Sequence, residues 1–214
     1  MRRITSCETA LALLAACLLP AVAAAADGDD HPLPRQGFYI GGGTCHFDLE
    51  HNLDGRSAIV AEGLDLETTA RGGLIVFGYG SGPRFTAEGR VGFAKIDDGR
   101  PDTDAALGTA TMDFLTTLAR GRWLEPVLIV GFGVVVLDVS CDAMDDINTF
   151  GVVGEFGGGL TTHLSRHFSV SADYRYAILN FEEESRDEFD EGTNYNVGGT
   201  GRLHTVSVMA TFDF

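Results

Sequence analysis

From residue 37 to the end of the chain, apolar and polar side chains alternate in segments of about ten to fifteen residues that are rich in Val, Phe, Thr and Gly. In one of them Phe85, Val91 and Phe93 lie on one face, with Glu88 and Arg90 on the other. A period of two is typical of β-strands, and no amphipathic helix of useful length interrupts the pattern. The sequence therefore predicts an all-β chain of eight strands, at about 37–49, 66–80, 84–96, 109–121, 126–140, 150–163, 167–181 and 202–214.

The connections between these segments alternate in length. Those at 50–65, 97–108, 141–149 and 182–201 are long, polar and acidic, whereas the links between them are Ser81-Gly82-Pro83, residues 122–125 and residues 164–166. In an up-and-down barrel alternate connections lie at the same rim. We therefore expect long loops at one rim, with short turns and both termini at the other.

Period-two strands fit two architectures. A soluble sandwich buries each apolar face against a second sheet, whereas a membrane barrel turns that face toward lipid, encloses the polar face and leaves no unpaired edge. The segments have the length of about ten tilted residues that a strand needs to cross a bilayer. Long loops at one rim and short turns at the other are typical of outer-membrane barrels. We predict an eight-stranded antiparallel up-and-down transmembrane β-barrel.

The first residues have the pattern of an export signal. A basic start, Met1-Arg2-Arg3, precedes an apolar run over 10–26 whose last residues, Ala24-Ala25-Ala26, offer small side chains for cleavage. We predict a signal peptide over 1–26, a short polar segment over 27–36 and the barrel domain over 37–214. Seventeen apolar residues also approach the length of a membrane anchor, so an uncleaved anchor is an alternative. Leu14-Ala15-Ala16-Cys17 is similar to a lipobox, and lipidation of Cys17 stays open.

The last segment is apolar at every second position and ends on Phe212 and Phe214, the third-last and last residues. An ordinary amphipathic closing strand would show the same alternation. Aromatic residues at these two positions resemble the recognition signal of outer-membrane barrel assembly, so we predict that role for Phe212 and Phe214.

Together these features resemble the OmpA/OmpX-like outer-membrane β-barrel family, small single-domain members included. The resemblance covers about residues 37–214 and rests on residues 37–43 (GFYIGGG), 85–93 (FTAEGRVGF), 166–176 (RHFSVSADYRY) and the terminal Phe214. It implies a monomer in the outer membrane of a Gram-negative bacterium with both termini periplasmic. Its implied partners are outer-membrane lipid, lipopolysaccharide and, during biogenesis, the barrel assembly machinery. The peptidoglycan-binding domain of larger relatives is missing, so no cell-wall tether is expected.

The chain is acidic, and its acids concentrate in the connections. Without residues 1–26 the formal net charge is −17, which makes nucleic acid an improbable partner because its binding relies on basic side chains. Of the 31 Asp and Glu residues, 21 lie in 48–67, 97–104, 138–146 and 182–191. Solvated acidic loops are the ordinary interpretation. Weak capture of divalent cations is the alternative, but no segment has EF-hand spacing, and we predict no metal and no cofactor.

Charged residues of both signs fall on the predicted inner face: Glu88, Arg90, Glu155, Asp173 and Arg175, with Arg71 as a further candidate. An eight-stranded barrel has room inside for little more than side chains. Because buried charges need partners, we predict an ion-paired plug, with a gated aqueous path as the alternative.

Two cysteines remain after signal removal, Cys45 and Cys141, near the predicted loop rim. They fall on the first and fifth strands, which stand on opposite sides of the barrel. A disulfide needs Cα atoms within about 7 Å, so this bond would require the chain to fold inward across the mouth. The Cys45–Cys141 disulfide stays a hypothesis.

Enzymatic activity has one weak motif. His167-Phe168-Ser169 is similar to the His-x-Ser of outer-membrane lipid A deacylases, but it follows a short turn and would in addition need an orienting carboxylate. We therefore predict a non-enzymatic outer-membrane protein with a structural or surface-interaction role and an extracellular ligand that the sequence does not identify. A narrow porin is the first alternative, and a lipid A-modifying enzyme is the second.

Overall fold

The computed structural model is a closed eight-stranded barrel in which every strand pairs antiparallel with the next, and the last strand pairs with the first. The structure describes residues 36–53, 68–82, 84–96, 103–119, 124–141, 144–165, 167–185 and 196–214. The strands are β1 Gln36–Leu53, β2 Thr68–Ser81, β3 Phe85–Ile96, β4 Thr103–Thr117, β5 Glu125–Cys141, β6 Met144–His163, β7 Phe168–Ser185 and β8 Asn196–Asp213. The predicted fold class is confirmed. The described residues contain no helix that is long and apolar enough to cross a membrane.

The first strand begins and the last strand ends at the same rim of the barrel, as expected. At one rim, here called the turn end, β1 begins, β8 ends and the connections 82–84, 118–124 and 164–167 lie. At the opposite rim, the loop end, β1, β3, β5 and β7 end and β2, β4, β6 and β8 begin; residues 54–67, 97–102, 142–143 and 186–195 lie outside the described residues. The predicted signal peptide, the lipobox cysteine and most of the acidic loop residues also lie outside them.

Several strands continue beyond their predicted ends, so the predicted long loop at 141–149 is wrong. Only residues 142–143 separate β5 from β6, and β4 and β8 each begin six residues earlier than expected. Backbone pairing needs no apolar side chain, so a polar stretch can extend a strand ladder. The loop lengths predicted from polarity alone are therefore too long. The predicted strict alternation of long and short connections does not hold.

The predicted inward and outward faces are confirmed in β3 and β8. Outward-facing side chains include Phe77, Phe93, Phe132 and Phe156, each more than half exposed in the isolated chain. The outward ring of Phe93 lies across Gly73 of the neighbouring strand, where an added Cβ would be 2.9 Å from it. Arg71 also faces outward and is exposed, so its expected place in the interior cluster is wrong.

The interior is layered along the barrel. Its loop-end half is apolar and is filled by buried side chains here called the apolar plug: Phe47, Leu49, Ile96, Leu107, Val135, Leu137, Leu179, Phe181 and Leu203. Charged residues occupy the middle, and a second polar network lies at the turn end. The alternation of the sequence implied an interior that is polar throughout. The interior is polar in only part of the barrel.

Candidate functional site: the buried ion cluster

Six charged side chains meet in the middle of the barrel, and neighbouring strands place them there. Glu88 and Arg90 come from β3, Glu155 from β6, and Asp173 and Arg175 from β7. Residues two apart on a strand share a face, so each pair points inward together. The structure therefore brings together all five residues that the sequence assigned to the interior, and it adds Asp113 from β4.

Arg175 is the centre of the cluster. Its guanidinium contacts four carboxylates: Nε lies 3.0 Å from Asp173 Oδ1, Nη2 lies 3.4 Å from Glu88 Oε1, and Nη1 contacts both Glu155 and Asp113. The Arg175 side chain is only 1 % exposed. A guanidinium stays positively charged and has five N–H donors, so it can pair with several buried carboxylates at once.

Arg90 forms the second centre. Its Nη1 donates to both oxygens of Asp173 at 3.3 Å, and its Nη2 donates to Ser207 Oγ at 2.7 Å. Ser207 in turn donates to Asp173 Oδ1 at 2.8 Å. Asp173 thus bridges the two arginines and links β3, β7 and β8 across the barrel.

Two further side chains complete the shell around the cluster. Tyr39 donates to Glu88 Oε2 at 2.6 Å, which ties β1 to β3. Thr111 donates to Asp113 Oδ2 at 3.3 Å. Charge-assisted hydrogen bonds of this kind are stronger than neutral ones, so these groups help hold the carboxylates away from water.

Sequence reasoning missed Asp113, although its position carries a signal. Thr109, Thr111 and Asp113 alternate with the apolar residues Ala110, Met112 and Phe114, which places Asp113 on the inner face. Asp113 is fully buried, and its Oδ1 is the one buried side-chain oxygen or nitrogen among the described residues that lacks a hydrogen-bond partner.

Gly131 of β5 provides the room for Asp113. A Cβ at position 131 would lie 2.0 Å from Asp113 Oδ1 and 3.1 Å from Glu155 Cγ. The absence of a side chain on β5 therefore allows two acidic side chains from its neighbouring strands to reach Arg175.

The space between the charges and the apolar plug is small. A cavity of about 10 Å³ lies between the ion cluster and the apolar plug, with Arg90, Glu155, Arg175 and Phe47 in its wall. This is about the room that a single water molecule requires. Within the described residues no group of three or more His, Cys, Asp or Glu side chains is arranged to hold a metal ion.

A second polar network closes the turn end. His163 of β6 contacts Ser169 Oγ through Nδ1 at 2.8 Å and Glu125 Oε2 through Nε2 at 3.2 Å. Ser169 donates to Asp213 Oδ2 at 3.1 Å. The network links β5, β6, β7 and β8 at this rim.

This network changes the interpretation of Ser169. The histidine beside it is His163, not the His167 of the sequence motif, because His167 Nδ1 contacts the backbone oxygen of Asp213 at 2.9 Å and its ring stacks on Phe212. Ser169 is fully buried, and its Oγ lies within hydrogen-bond distance of both His163 Nδ1 and Asp213 Oδ2. A serine buried in this way is not accessible to a substrate.

The hypothesis of a disulfide between Cys45 and Cys141 is wrong, because Cys45 is a free cysteine. Cys45 is a free, buried thiol in the barrel interior, where its Sγ lies 3.6 Å from the backbone oxygen of Gly73. Its strand partners are Gly72 and Ser207, so it lies beside the ion cluster rather than near the loop rim. Cys141 ends β5 opposite Met144, and its side chain lies outside the described part of the chain.

Phe212 and Phe214 lie on the outer surface at the turn end. They are 49 % and 73 % exposed, and their rings meet edge to face with centroids 5.5 Å apart. The backbone N–H of Phe214 donates to the oxygen of Phe38 at 3.0 Å, next to the seam between β8 and β1. Both rings therefore stand where an assembly factor could reach them.

A closed, antiparallel eight-stranded barrel with outward aromatic rings and a charged interior defines an integral outer-membrane barrel. The family model for the outer membrane protein beta-barrel domain matches residues 9–214, and the chain belongs to this family. It is accordingly a protein of the Gram-negative outer membrane.

Solved structures agree on the fold. Neisserial surface protein A has a TM-score of 0.62 at 15 % identity, over 84 % of this chain and 98 % of that one. Ail, the attachment invasion locus protein of Yersinia pestis, has a TM-score of 0.50 at 14 % identity, over 84 % and 99 %. The outer membrane protein AlkL has a TM-score of 0.53 at 15 % identity, over 87 % and 96 %. No curated protein sequence matches the chain significantly.

Proposed function

We propose that this protein is a closed, non-enzymatic outer-membrane barrel that serves as a rigid scaffold, with its loop end facing the medium. The observation that carries the proposal is the filled interior. The ion cluster spans the lumen between β3 and β7, and the apolar plug occupies the half above it.

The apolar plug argues against a conducting path. Leu179 and Val135 are completely buried, and Leu107 and Leu49 are each 2 % exposed. An ion crossing this layer would lose its hydration without gaining polar partners, which is costly in an apolar medium. Rearrangement of the ion pairs alone would not create a water path, because the plug would remain.

The charge of the loop end indicates the kind of partner it can meet. In the sequence, the strongly acidic segments adjoin the strand ends at this rim, and residues 182–191 include seven carboxylates. A structure of Ail is a complex with the heparin analogue sucrose octasulfate. On charge, this chain should repel such polyanions, and we propose a cationic surface as its extracellular partner.

The decisive experiment is single-channel recording of the refolded mature protein in a planar bilayer. Folding of the protein is first demonstrated by an electrophoretic mobility that changes on heating. We expect this folded protein to give no discrete current steps. Reproducible steps from such protein would instead establish a narrow porin.

A matched variant identifies the source of any current. Glu88→Gln removes one interior charge and keeps the side-chain volume, whereas Glu50→Gln removes one charge from the outer surface. A pore through the cluster would change its conductance only with Glu88→Gln, whereas the closed scaffold stays silent with both.

The enzymatic alternative has its own test. Ser169→Ala should leave the acylation of lipid A unchanged in cells that produce the protein, because a buried serine that donates to Asp213 is structural. A change in lipid A that depends on Ser169 would contradict the proposal.

A further inference from the structure

A histidine lies at the centre of the polar network at the turn end. His163, the last residue of β6, contacts Glu125 Oε2 of β5 through Nε2 at 3.2 Å and Ser169 Oγ of β7 through Nδ1 at 2.8 Å. Ser169 Oγ in turn lies 3.1 Å from Asp213 Oδ2 of β8. These four residues, here called the turn-end network, join the last four strands of the barrel through three polar contacts.

The three contacts require three hydrogens. An ionised carboxylate only accepts hydrogen bonds, so Nε2 of His163 must donate to Glu125 and the hydroxyl of Ser169 must donate to Asp213. The one hydroxyl hydrogen of Ser169 is then used, and the contact between Oγ and Nδ1 needs a hydrogen on Nδ1. A neutral imidazole has a hydrogen on one nitrogen, whereas an imidazolium has one on each. All three contacts are hydrogen bonds only when His163 is protonated.

The network is sheltered from water, so solvent does not replace a missing hydrogen bond. The side chains of His163 and Glu125 are 9 % and 11 % exposed, and Ser169 is fully buried. With a neutral His163 one contact would bring two acceptors together, and the network would hold two negative charges and no positive one. Unpaired acceptors and unneutralised charges are both costly where water is excluded.

Other charged or titratable side chains at this rim have contacts of their own. His167 Nδ1 contacts the backbone oxygen of Asp213, and Tyr39, the register partner of Asp213 on β1, donates to Glu88. Arg84 is exposed on the connection between β2 and β3. The carboxylates of the ion cluster lie deeper in the barrel and are paired with its two arginines. Glu125 is therefore the charged group in direct contact with His163.

From this hydrogen count we infer that the turn-end network binds a proton on His163 and acts as a pH-sensitive latch on the last strand of the barrel. With the proton in place, Ser169 donates to Asp213, and β8 is tied through β7 and β6 to β5. Without it, the hydroxyl hydrogen of Ser169 turns to Nδ1, and Asp213 loses this donor. An imidazole changes its charge between about pH 5 and pH 8, so the latch forms toward the acidic end of this range.

The direction of the pH dependence follows from proton linkage. The folded network favours the imidazolium, whereas a histidine in the unfolded chain has no such partners. The folded protein therefore binds this proton more completely than the unfolded protein does, and unfolding releases it. The stabilisation through His163 is fully present near about pH 5 and is lost as the pH rises toward about 8.

The test compares unfolding rates of the refolded mature protein in lipid vesicles after a jump into urea at pH 5 and at pH 8. We expect the ratio of the rate at pH 8 to the rate at pH 5 to be about tenfold larger in the parent than in His163→Gln, which has no titrating group at this position. His167→Gln is the matched control and should keep the ratio of the parent, because that histidine is exposed and lies outside the network. Equal ratios in the parent and in His163→Gln would overturn the inference.

Asp213→Asn tests the hydrogen count itself. An amide N–H at this position can donate to Ser169 Oγ, which leaves the hydroxyl hydrogen for Nδ1 of a neutral His163. The network is then complete without the additional proton, so the rate ratio should fall to that of His163→Gln. A ratio within one variant cancels any loss that is independent of pH, including loss of the other interaction that Asp213 makes within the chain. A ratio like that of the parent would contradict the latch.

The protonation state itself is measured by NMR on the parent protein in detergent micelles, with nitrogen-15-labelled histidine assigned through its bonded backbone resonances. At pH 5 we expect the two ring nitrogens of His163 to have nearly equal chemical shifts, the pattern of an imidazolium. Two well separated shifts at pH 5 would show a neutral ring and would overturn the inference, even where a variant fails to fold. None of these readouts depends on whether the barrel conducts, so the proposed function and the latch succeed or fail separately.

Discussion

Asp113 and Asp173 are both buried carboxylates in contact with Arg175, but their surroundings differ. Asp173 is held by two guanidinium groups and by Ser207, whereas Asp113 contacts one guanidinium group and Thr111 and leaves one oxygen without a partner. Without Asp113, Arg175 would still be paired with three other carboxylates, those of Glu88, Glu155 and Asp173. The cluster therefore depends much more on Asp173 than on Asp113.

We predict that Asp173→Asn lowers the free energy of unfolding by about 3–5 kcal/mol, because it removes the charge shared by two buried arginines. Asp113→Asn, the matched change, should cost less than about 1 kcal/mol, since it also removes an unpaired anionic oxygen. Urea unfolding in lipid vesicles, followed by electrophoretic mobility, measures both. Equal losses would show that the two carboxylates are equivalent.

Gly131 permits a second prediction at the residue scale. Gly131→Ala places a methyl group against Asp113 Oδ1, and we expect a loss of about 1–3 kcal/mol from this overpacking. Gly154→Ala is the control, because a Cβ there meets nothing within 4 Å. Combining Gly131→Ala with Asp113→Ala should recover part of the loss. Additive losses in the double variant would exclude a clash between the two side chains.

At the scale of elements, β8 has two separate tasks. It closes the barrel by pairing with β7 and β1, and it presents Phe212 and Phe214 on the outer surface. The first task uses the backbone and the second uses side chains that pack on little of the protein. We therefore expect closure of the barrel and the predicted recognition by the assembly machinery to be separable by mutation.

We predict that Phe214→Ser strongly reduces the amount of folded barrel in the outer membrane of cells, with little effect on refolding of purified protein into detergent. Phe85→Ser serves as the control, because Phe85 is an outward ring at the turn end of β3 and is 62 % exposed, against 73 % for Phe214. Immunoblots of unheated membrane fractions compare the folded amounts. An equal defect in both variants would indicate a general need for aromatic rings at this rim.

The ends of the elements were less predictable than their centres. Strand centres follow from alternation, because one face meets lipid and the other the interior. Beyond the membrane this constraint disappears, so the early start of β6 at Met144 carried no hydrophobic signal. The backbone register with β5 alone extends the strand there.

Across the whole molecule, the barrel is apolar outside and partly apolar inside. The outer surface exchanges protein contacts for lipid contacts, whereas the apolar plug is a packed core. Two neighbours on β7 illustrate the difference, since Leu179 is fully buried in the plug and Ile178 is 55 % exposed on the outer surface.

We predict that Leu179→Ala lowers the free energy of unfolding in vesicles by about 2–5 kcal/mol, because the cavity it leaves is enclosed by protein. Ile178→Ala removes a comparable volume but should cost clearly less, since lipid chains can fill the space. Urea unfolding in vesicles compares the two variants. A larger loss for Ile178→Ala would mean that the interior is loosely packed and would weaken the case for a closed barrel.

The sequence by itself determined the strand number, the barrel class, the inward and outward faces and five members of the ion cluster. Each follows from a local rule, because the side-chain period assigns a residue to a face whatever its neighbours are. The tertiary structure decided which inward residues meet. Asp113 and Ser207 belong to the cluster, and the histidine beside Ser169 is His163 rather than His167. Arg71 faces outward, and Cys45 is a free thiol. These outcomes depend on strand register and on the height of each residue along the barrel, which arise only when all eight strands close.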